Sequence, residues 1–445
     1  MKTWITTIST ALLAGSLQLQ AGPVNLRVEL DRDVLPANQS NKAIIKLTLD
    51  APRPPRKAKR PAVNLSIVID KSGSMGGEKI KQAREAALEA VRRLDKDDVF
   101  SLITYDSQVH TVIPAQQVEN TQWIEDKIRS IGTGGNTALF GGVSQGANEI
   151  RKFLEKNHVN RMILLSDGLA NIGPQSPSEL GRLGASLVKE GISVTTIGMG
   201  NDFNEDLMTV LAEKSDGNNY FVETYADLPR MLSAELGDVL NVVAKKVTIT
   251  IECPEGVRPL RIIGREGRVF QDRVEINLNQ VYGGQEKYVL VEVEVPARDR
   301  TSKLHIATAK CSYQDVFSAK TAMGETTCSV AFSDKQSVVD QSINPAVQIE
   351  YTRNIVAENR DKVIALCEDG KQAEAVAVLK DNVELLNDGA TRWGEQKFKQ
   401  DAEEQQNQWQ QLEKQGLTKQ YRKRLRNDSY DDRNQQSFQS RVLRK

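Results

Sequence analysis

The chain has 445 residues, of which 39% are hydrophobic and 27% charged. That is apolar material for about three domains of ~150 residues each, and it excludes a disordered chain. Lys+Arg and Asp+Glu both number 59, which argues against a wholesale nucleic-acid binder. Four cysteines exclude a disulfide-dense scaffold, and three histidines leave little room for a His-built zinc or catalytic site.

The first element is a leader. Met1-Lys2 precedes an apolar run over residues 4–17 without a carboxylate, followed by Leu19-Gln20-Ala21. A positive start, a short apolar stretch and a small exit residue predict a secretory signal peptide over residues 1–21. The run is shorter than the ~20 residues a membrane span needs. The mature chain is therefore expected to lack a transmembrane segment and to be exported, either periplasmic or secreted.

Residues 22–50 alternate apolar and polar side chains, through Val24, Leu26, Val28 and Leu30 and then Ala43, Ile45, Leu47 and Leu49. The pattern predicts two half-buried strands. Residues 51–61 are Pro-rich and basic and read as a linker.

The texture changes over residues 62–243. Apolar runs at 65–70, 99–105, 161–166 and 192–197, with shorter ones at 110–113 and 220–222, alternate with helix-spaced segments. Those segments are 78–94, 123–128, 139–154, 178–189, 205–214 and 227–240. Strands without alternation, separated by helices, predict a doubly wound α/β domain with a mostly parallel sheet.

Alternation returns over residues 244–335, with strands expected at 247–251, 289–295, 304–313 and 327–332. They predict a β-sandwich that pairs with the 22–50 segment, so that the α/β domain is an insertion. Residues 341–415 read as helical, with helices at 347–366, 371–386 and 397–414 and a break at Asp369-Gly370. Residues 416–445 are basic and poor in apolar side chains, and they read as a disordered tail. Within it, Arg422-Lys423-Arg424 is a solvated cluster or a contact for anionic polymers or membranes.

Cys253, Cys311, Cys328 and Cys367 would meet an oxidising compartment after export. A turn near residues 318–321 would set Cys311 opposite Cys328, so both a disulfide and buried free thiols are compatible with the sequence. The sequons at Asn38, Asn64 and Asn427 read as chance, since Asn64 falls in a buried strand pattern.

The chemistry gathers at strand ends. Asp70-Lys71-Ser72-Gly73-Ser74 is a D-x-S-x-S motif at the carboxyl end of a parallel strand, where open α/β sheets place ligands. Gly132-Thr133-Gly134-Gly135-Asn136-Thr137 adds a Gly-rich loop with a hydroxyl. Asp167-Gly168 adds a second carboxylate at another strand end. Carboxylates and hydroxyls are hard oxygen donors suited to Mg²⁺, Mn²⁺ or Ca²⁺.

In order and context, Asp70, Ser72, Ser74, Thr137 and Asp167 resemble the metal-ion-dependent adhesion site of the von Willebrand factor type A (VWA) family. The flanking segments resemble its bacterial exported members. The resemblance implies that Ser72, Ser74 and Thr137 hold a divalent metal directly and that Asp70 and Asp167 act largely through water. It further implies that an Asp or Glu of a partner protein completes the coordination. Hydroxyls neutralise none of the ion's charge, which leaves it attractive to an incoming carboxylate.

Enzyme readings are weaker. There is no G-x-x-x-x-G-K-[ST] loop and no G-x-S-x-G elbow, and His110, His158 and His305 are scattered. The expectation is a non-enzymatic binding module. Its alternatives are a metal-dependent hydrolase and an envelope protein in which metal only stabilises the fold.

Overall fold

The structure is a computed structural model that describes residues 24–53, 60–154 and 157–435. The expected leader at 1–21 and the core of the 51–61 linker, residues 54–59, lie outside the described residues. Strands β1 (Asn25–Leu30), β2 (Val34–Pro36) and β3 (Asn41–Ala51) precede the linker. Arg60, from the linker's basic run, is held by a bidentate pair with Asp98 at 2.8 and 2.6 Å.

The α/β domain follows. Its elements in chain order are β4 (Val63–Asp70), α1 (Glu78–Val91), β5 (Val99–Tyr105), β6 (Val109–Gln117), α2 (Thr121–Arg129) and α3 (Leu139–Arg151). Then come β7 (Val159–Ser166), α4 (Pro177–Lys189), β8 (Ile192–Met199), α5 (Glu205–Lys214), β9 (Asn219–Val222) and α6 (Leu228–Val239).

The sheet runs β6-β5-β4-β7-β8-β9, and only β6 is antiparallel to its neighbour. Every residue of β4, β5, β7 and β8 is buried, which is why these strands read as continuous apolar runs. One face packs against α1, α2 and α6 through Ile80, Ile124 and Leu232. The other packs against α3, α4 and α5 through Val143, Leu187 and Leu207. Local chemistry starts the helices where they begin. Ser176 and Glu179 form a reciprocal capping box with Pro177 in the first turn of α4, and the Asn204 side chain caps α5.

The second β segment contains β10 (Val242–Glu252), β11 (Arg258–Ile263), β12 (Arg268–Val269), β13 (Arg273–Tyr282), β14 (Gln285–Val295), β15 (Lys303–Asp315) and β16 (Thr321–Ser333). It makes two sheets with the N-terminal strands, ordered β1-β3-β14-β11 and β12-β13-β10-β15-β16-β2. β3 and β14 pair from Asn41 opposite Val295 to Ala51 opposite Gln285, so the chain leaves this sandwich to build the α/β domain and then returns. Their inner faces share one core that includes Ile45, Leu47, Ile249, Ile276 and Val291.

Four strands escaped the sequence reading, and the first, β2, is only three residues long and lies where a turn was expected. β13 shows the signal, because Val274, Ile276 and Leu278 alternate with polar residues and are buried. β11 and β12 are short edges with no such pattern.

The two domains are joined by a buried polar weld. The fully buried Arg161 of β7 donates to Thr195 Oγ1 at 3.1 Å, to Gln280 Oε1 at 2.7 Å and to the Tyr282 hydroxyl, with Glu235 at 3.5 Å. Residues of β13 thus complete a cluster that begins in the α/β sheet.

The helical end comprises α7 (Gln336–Gln341), α8 (Pro345–Glu368), α9 (Gln372–Trp393), α10 (Gln396–Gln415) and α11 (Lys419–Arg433). α11 overturns the expectation of a disordered tail over its length. Arg422, Lys423, Arg426 and Arg433 pair with Glu205, Asp206 and Glu213 of α5, and Arg424 pairs with Glu223. Leu425 is fully buried. Composition alone misread this segment because its order comes from acids placed more than two hundred residues earlier. Residues 436–445 lie outside the described residues.

The expected facing of Cys311 and Cys328 is corrected, and of the two alternatives the free thiols are found. The β15–β16 register sets Cys311 opposite Gly324 and Cys328 opposite Ala307, so the two cysteines are staggered along the hairpin rather than facing. All four cysteines are free thiols. No helix among the described residues is long and apolar enough to cross a membrane.

Candidate metal centre

The α/β chain builds outward from β4 first through β5 to β6, and then from β7 through β8 to β9. The carboxyl ends of β4 and β7 therefore flank the point where the winding reverses, and loops diverge there to leave a crevice. Asp70 is the last residue of β4, and Asp167 follows the last residue of β7.

Three loops are knitted together at this crevice by backbone bonds. Gly73 N–H donates to Gly135 O at 3.1 Å, Gly134 N–H to Lys71 O at 2.8 Å, and Asn171 N–H to Thr137 O at 3.1 Å. Gly135 has φ 81°, and a Cβ there would lie 2.9 Å from Ser107 Oγ. The Gly-rich loop can make this approach only with glycine.

All five sequence-predicted residues meet at the crevice. Asp70 and Asp167 are fully buried, and Ser72 and Thr137 are nearly so. Ser74 stands exposed at the mouth. Ser72 Oγ and Ser74 Oγ lie 3.0 Å apart, and Ser74 Oγ donates to Asp167 Oδ1 at 2.8 Å. Gly168 gives a measure of the convergence. A Cβ built on it would lie 3.1 Å from Thr137 Oγ1, 3.5 Å from Ser74 Oγ and 3.6 Å from Asp70 Oδ2. Side-chain oxygens of the first two loops thus close on a spot beside the third loop that the missing Cβ leaves open.

Asp70 is oriented by the Ser72 N–H at 2.8 Å and the Ser166 hydroxyl at 2.8 Å. Burial pushes its carboxyl above the usual range, opposed by the Ser72 and Ser166 hydrogen bonds, and the nearby Asp167 charge adds to the rise. Two buried carboxylates at one crevice call for positive charge. Part of it comes from Lys79 of α1, whose ammonium pairs with Asp167 Oδ2 and donates to Ser74 O at 3.2 Å.

Ser166, Lys79 and Asn171 were missed in the sequence. Asn171 Oδ1 accepts from Thr137 N–H at 2.8 Å and so fixes the hydroxyl loop. The signal for Lys79 was its place one residue into α1, next to the D-x-S-x-S loop; Ser166 and Asn171 carry no pattern of their own. Among the described residues, no group of three or more His, Cys, Asp or Glu could hold a metal. The donors gathered at the crevice are two carboxylates and three hydroxyls, hard oxygens of a kind that suits magnesium, manganese or calcium.

Residues 64–234 match the von Willebrand factor type A domain family. The protein YfbK of Escherichia coli is 30% identical over 218 residues, 48% of this chain and 38% of its own length. Inter-alpha-trypsin inhibitor heavy chain H3 of Pongo abelii is 26% identical over 201 residues, 43% of this chain and 23% of its own. The chain thus spans less than two fifths of the length of these curated relatives.

Two solved structures extend the likeness in fold beyond the domain. A von Willebrand factor type A protein from Catenulispora acidiphila superposes with a TM-score of 0.68 at 16% identity, covering 85% of this chain and 89% of that one. The ArnB paralog VWA2 from Sulfolobus acidocaldarius gives 0.64 at 18% identity, covering 92% and 98%. With their mostly parallel sheet and strand-end loops, residues 64–234 form a von Willebrand factor type A domain.

Proposed function

We propose that this protein is an exported, non-enzymatic binding module that docks an acidic protein partner through a divalent cation. Ser72, Ser74 and Thr137 would hold Mg²⁺, Mn²⁺ or Ca²⁺ directly, with Asp70 and Asp167 oriented toward it. The single observation that carries this reading is the convergence of Asp70, Ser74 and Thr137 oxygens on the open position at Gly168, with Asp167 tied to them through the Ser74 hydroxyl. The exposed Ser74 leaves the mouth accessible, so an Asp or Glu from outside can supply the remaining ligand. The basic start and apolar run at residues 1–21 support export. The match to the von Willebrand factor type A domain, which commonly mediates metal-dependent protein-protein interaction, supports a binding role over a hydrolytic one.

The test has two stages. Calorimetry on chelator-stripped full chain should show uptake of Mg²⁺, Mn²⁺ or Ca²⁺ that Asp70→Ala removes. A pull-down from an envelope extract should then depend on the metal and on Asp70. Unchanged capture with and without EDTA would defeat docking while leaving a stabilising role for the ion. Turnover of ester, peptide or phosphate substrates lost with Asp70→Ala would favour a hydrolase.

A further inference from the structure

A second site lies away from the Asp70–Asp167 crevice. A cleft of about 1030 Å³ opens where the α/β domain, the sandwich and the C-terminal helix meet. Its walls come from α4 and α5, from the sandwich strands β10, β11, β12 and β13, and from the end of α11. This is the open side of the sandwich, because β11 and β12 are the edge strands of its two sheets.

The charges in this cleft do not balance. Each of its carboxylates already has a cation. Glu213 pairs with Arg433 at 2.7 Å, Asp216 with Lys287 at 3.1 Å, Glu275 with Arg273 at 3.1 Å, and Glu266 with Lys214. Four further cations line the same space, Lys189, Lys246, Arg265 and Arg268, and none has an ion-pair partner among the described residues.

Arg265 is the informative one. It is half-buried, and its guanidinium meets only neutral acceptors, with Nε donating to Gln435 Oε1 at 2.9 Å and Nη2 to Asn434 O at 2.7 Å. Its Nη1 has no protein acceptor among the described residues. Burial lowers the guanidinium below its ordinary value despite the nearby Asp216 and Glu213. Holding a desolvated guanidinium without a paired anion is costly unless something else supplies the charge.

Lys246 adds a second sign of construction. It sits at an irregularity of β10 with φ 54°, a conformation that costs a non-glycine residue energy and that breaks the strand's alternation at this wall. Val188, Val247 and Ile262 line the cleft between the cations and offer no competing polar groups.

We infer that this cleft binds a compact anion of two or more negative charges, held by Arg265 at its floor and by Lys189, Lys246 and Arg268 at its mouth. Because the walls belong to three parts of the chain, the bound anion would tie the sandwich, the α/β domain and α11 together.

The test is calorimetry on the full chain, stripped of metal on a chelating resin so that the Asp70–Asp167 crevice holds no cation. Sodium tripolyphosphate and citrate are titrated separately at matched ionic strength. The expected result is saturable binding of at least one of them, with affinity weakened about tenfold or more in the double variant Lys246→Gln/Arg268→Gln. Arg265→Gln should abolish it. Preference for tripolyphosphate or for citrate would tell a phosphate ligand from a carboxylate one. No saturable uptake of either anion, or equal affinity in wild type and double variant, would overturn the inference. Lys246 and Arg268 are exposed and have no ion pair among the described residues, so the double variant decides the matter even if Arg265→Gln does not fold.

Discussion

The ammonium of Lys79 rests on the carboxylate of Asp167, one of the two buried acids at the strand-end crevice. Lysine and any divalent cation bound nearby therefore compete for the same negative charge. Lys79→Met removes the repulsion and frees Asp167, so magnesium should bind about tenfold more tightly to the variant. Calorimetry on the chelator-stripped chain checks this, and weaker binding would mean that Lys79 supports the site rather than opposing the ion.

Asp70 serves both the fold and the crevice. Its carboxylate accepts the Ser72 N–H and the Ser166 hydroxyl, each at 2.8 Å, in a fully buried position. Asp70→Ala leaves both donors unpaired and should cost about 2 kcal/mol in urea unfolding without added metal. The stabilisation that wild type gains from millimolar magnesium should be absent in the variant.

Asp238 sets a pH dependence. Burial, with the Glu235 charge adding to it, raises its carboxyl to about 8, against the lowering effects of Arg161 and of the Gln285 hydrogen bond. A carboxyl raised in the fold keeps its proton after the unfolded chain has lost its own. Stability is thus largest below the unfolded value near 4 and falls as pH rises through about 8. Asp238→Asn should remove that loss and melt roughly a few degrees above wild type at pH 8, with the gap shrinking toward pH 5. Thermal denaturation across this range is the measurement.

Lys423 pins α11 to the α/β domain. Its ammonium is buried, pairs with Glu205 and donates to Phe203 O at 2.6 Å, and it lies 4.2 Å from the Phe203 ring centroid. Lys423→Ala leaves the buried Glu205 with Arg422 as its remaining cation and should cost about 2 kcal/mol. The freed helix should then be cut by protease near Gly416, the break between α10 and α11. Protection equal to wild type would show that Arg422 and Arg426 hold the helix without it.

Much of this molecule was legible before any coordinates. The continuous apolar runs of β4, β5, β7 and β8 are the pattern left by strands buried on both faces, and the spacing of Ile80, Ala83, Ala87 and Val91 is that of a helix. D-x-S-x-S and Asp167 were readable as one site because each stands at the end of a parallel strand, and Thr137, in a Gly-rich loop leading into α3, was joined to them by the family resemblance.

What the sequence determined by itself was local: periodicity, strand ends, turn residues and the five oxygen-bearing side chains of the crevice. Tertiary structure alone decided the rest. The stagger of Cys311 and Cys328 depends on a hairpin register. The pairing of Lys79 with Asp167 depends on how α1 crosses the strand ends. The order of α11 depends on Glu205, Asp206 and Glu213 standing opposite its arginines. The reason is common to all three. Backbone propensity and apolar spacing act over a few residues and leave a trace in the chain, whereas the energy of an ion pair or a cross-strand contact depends on partners that are neighbours only after folding.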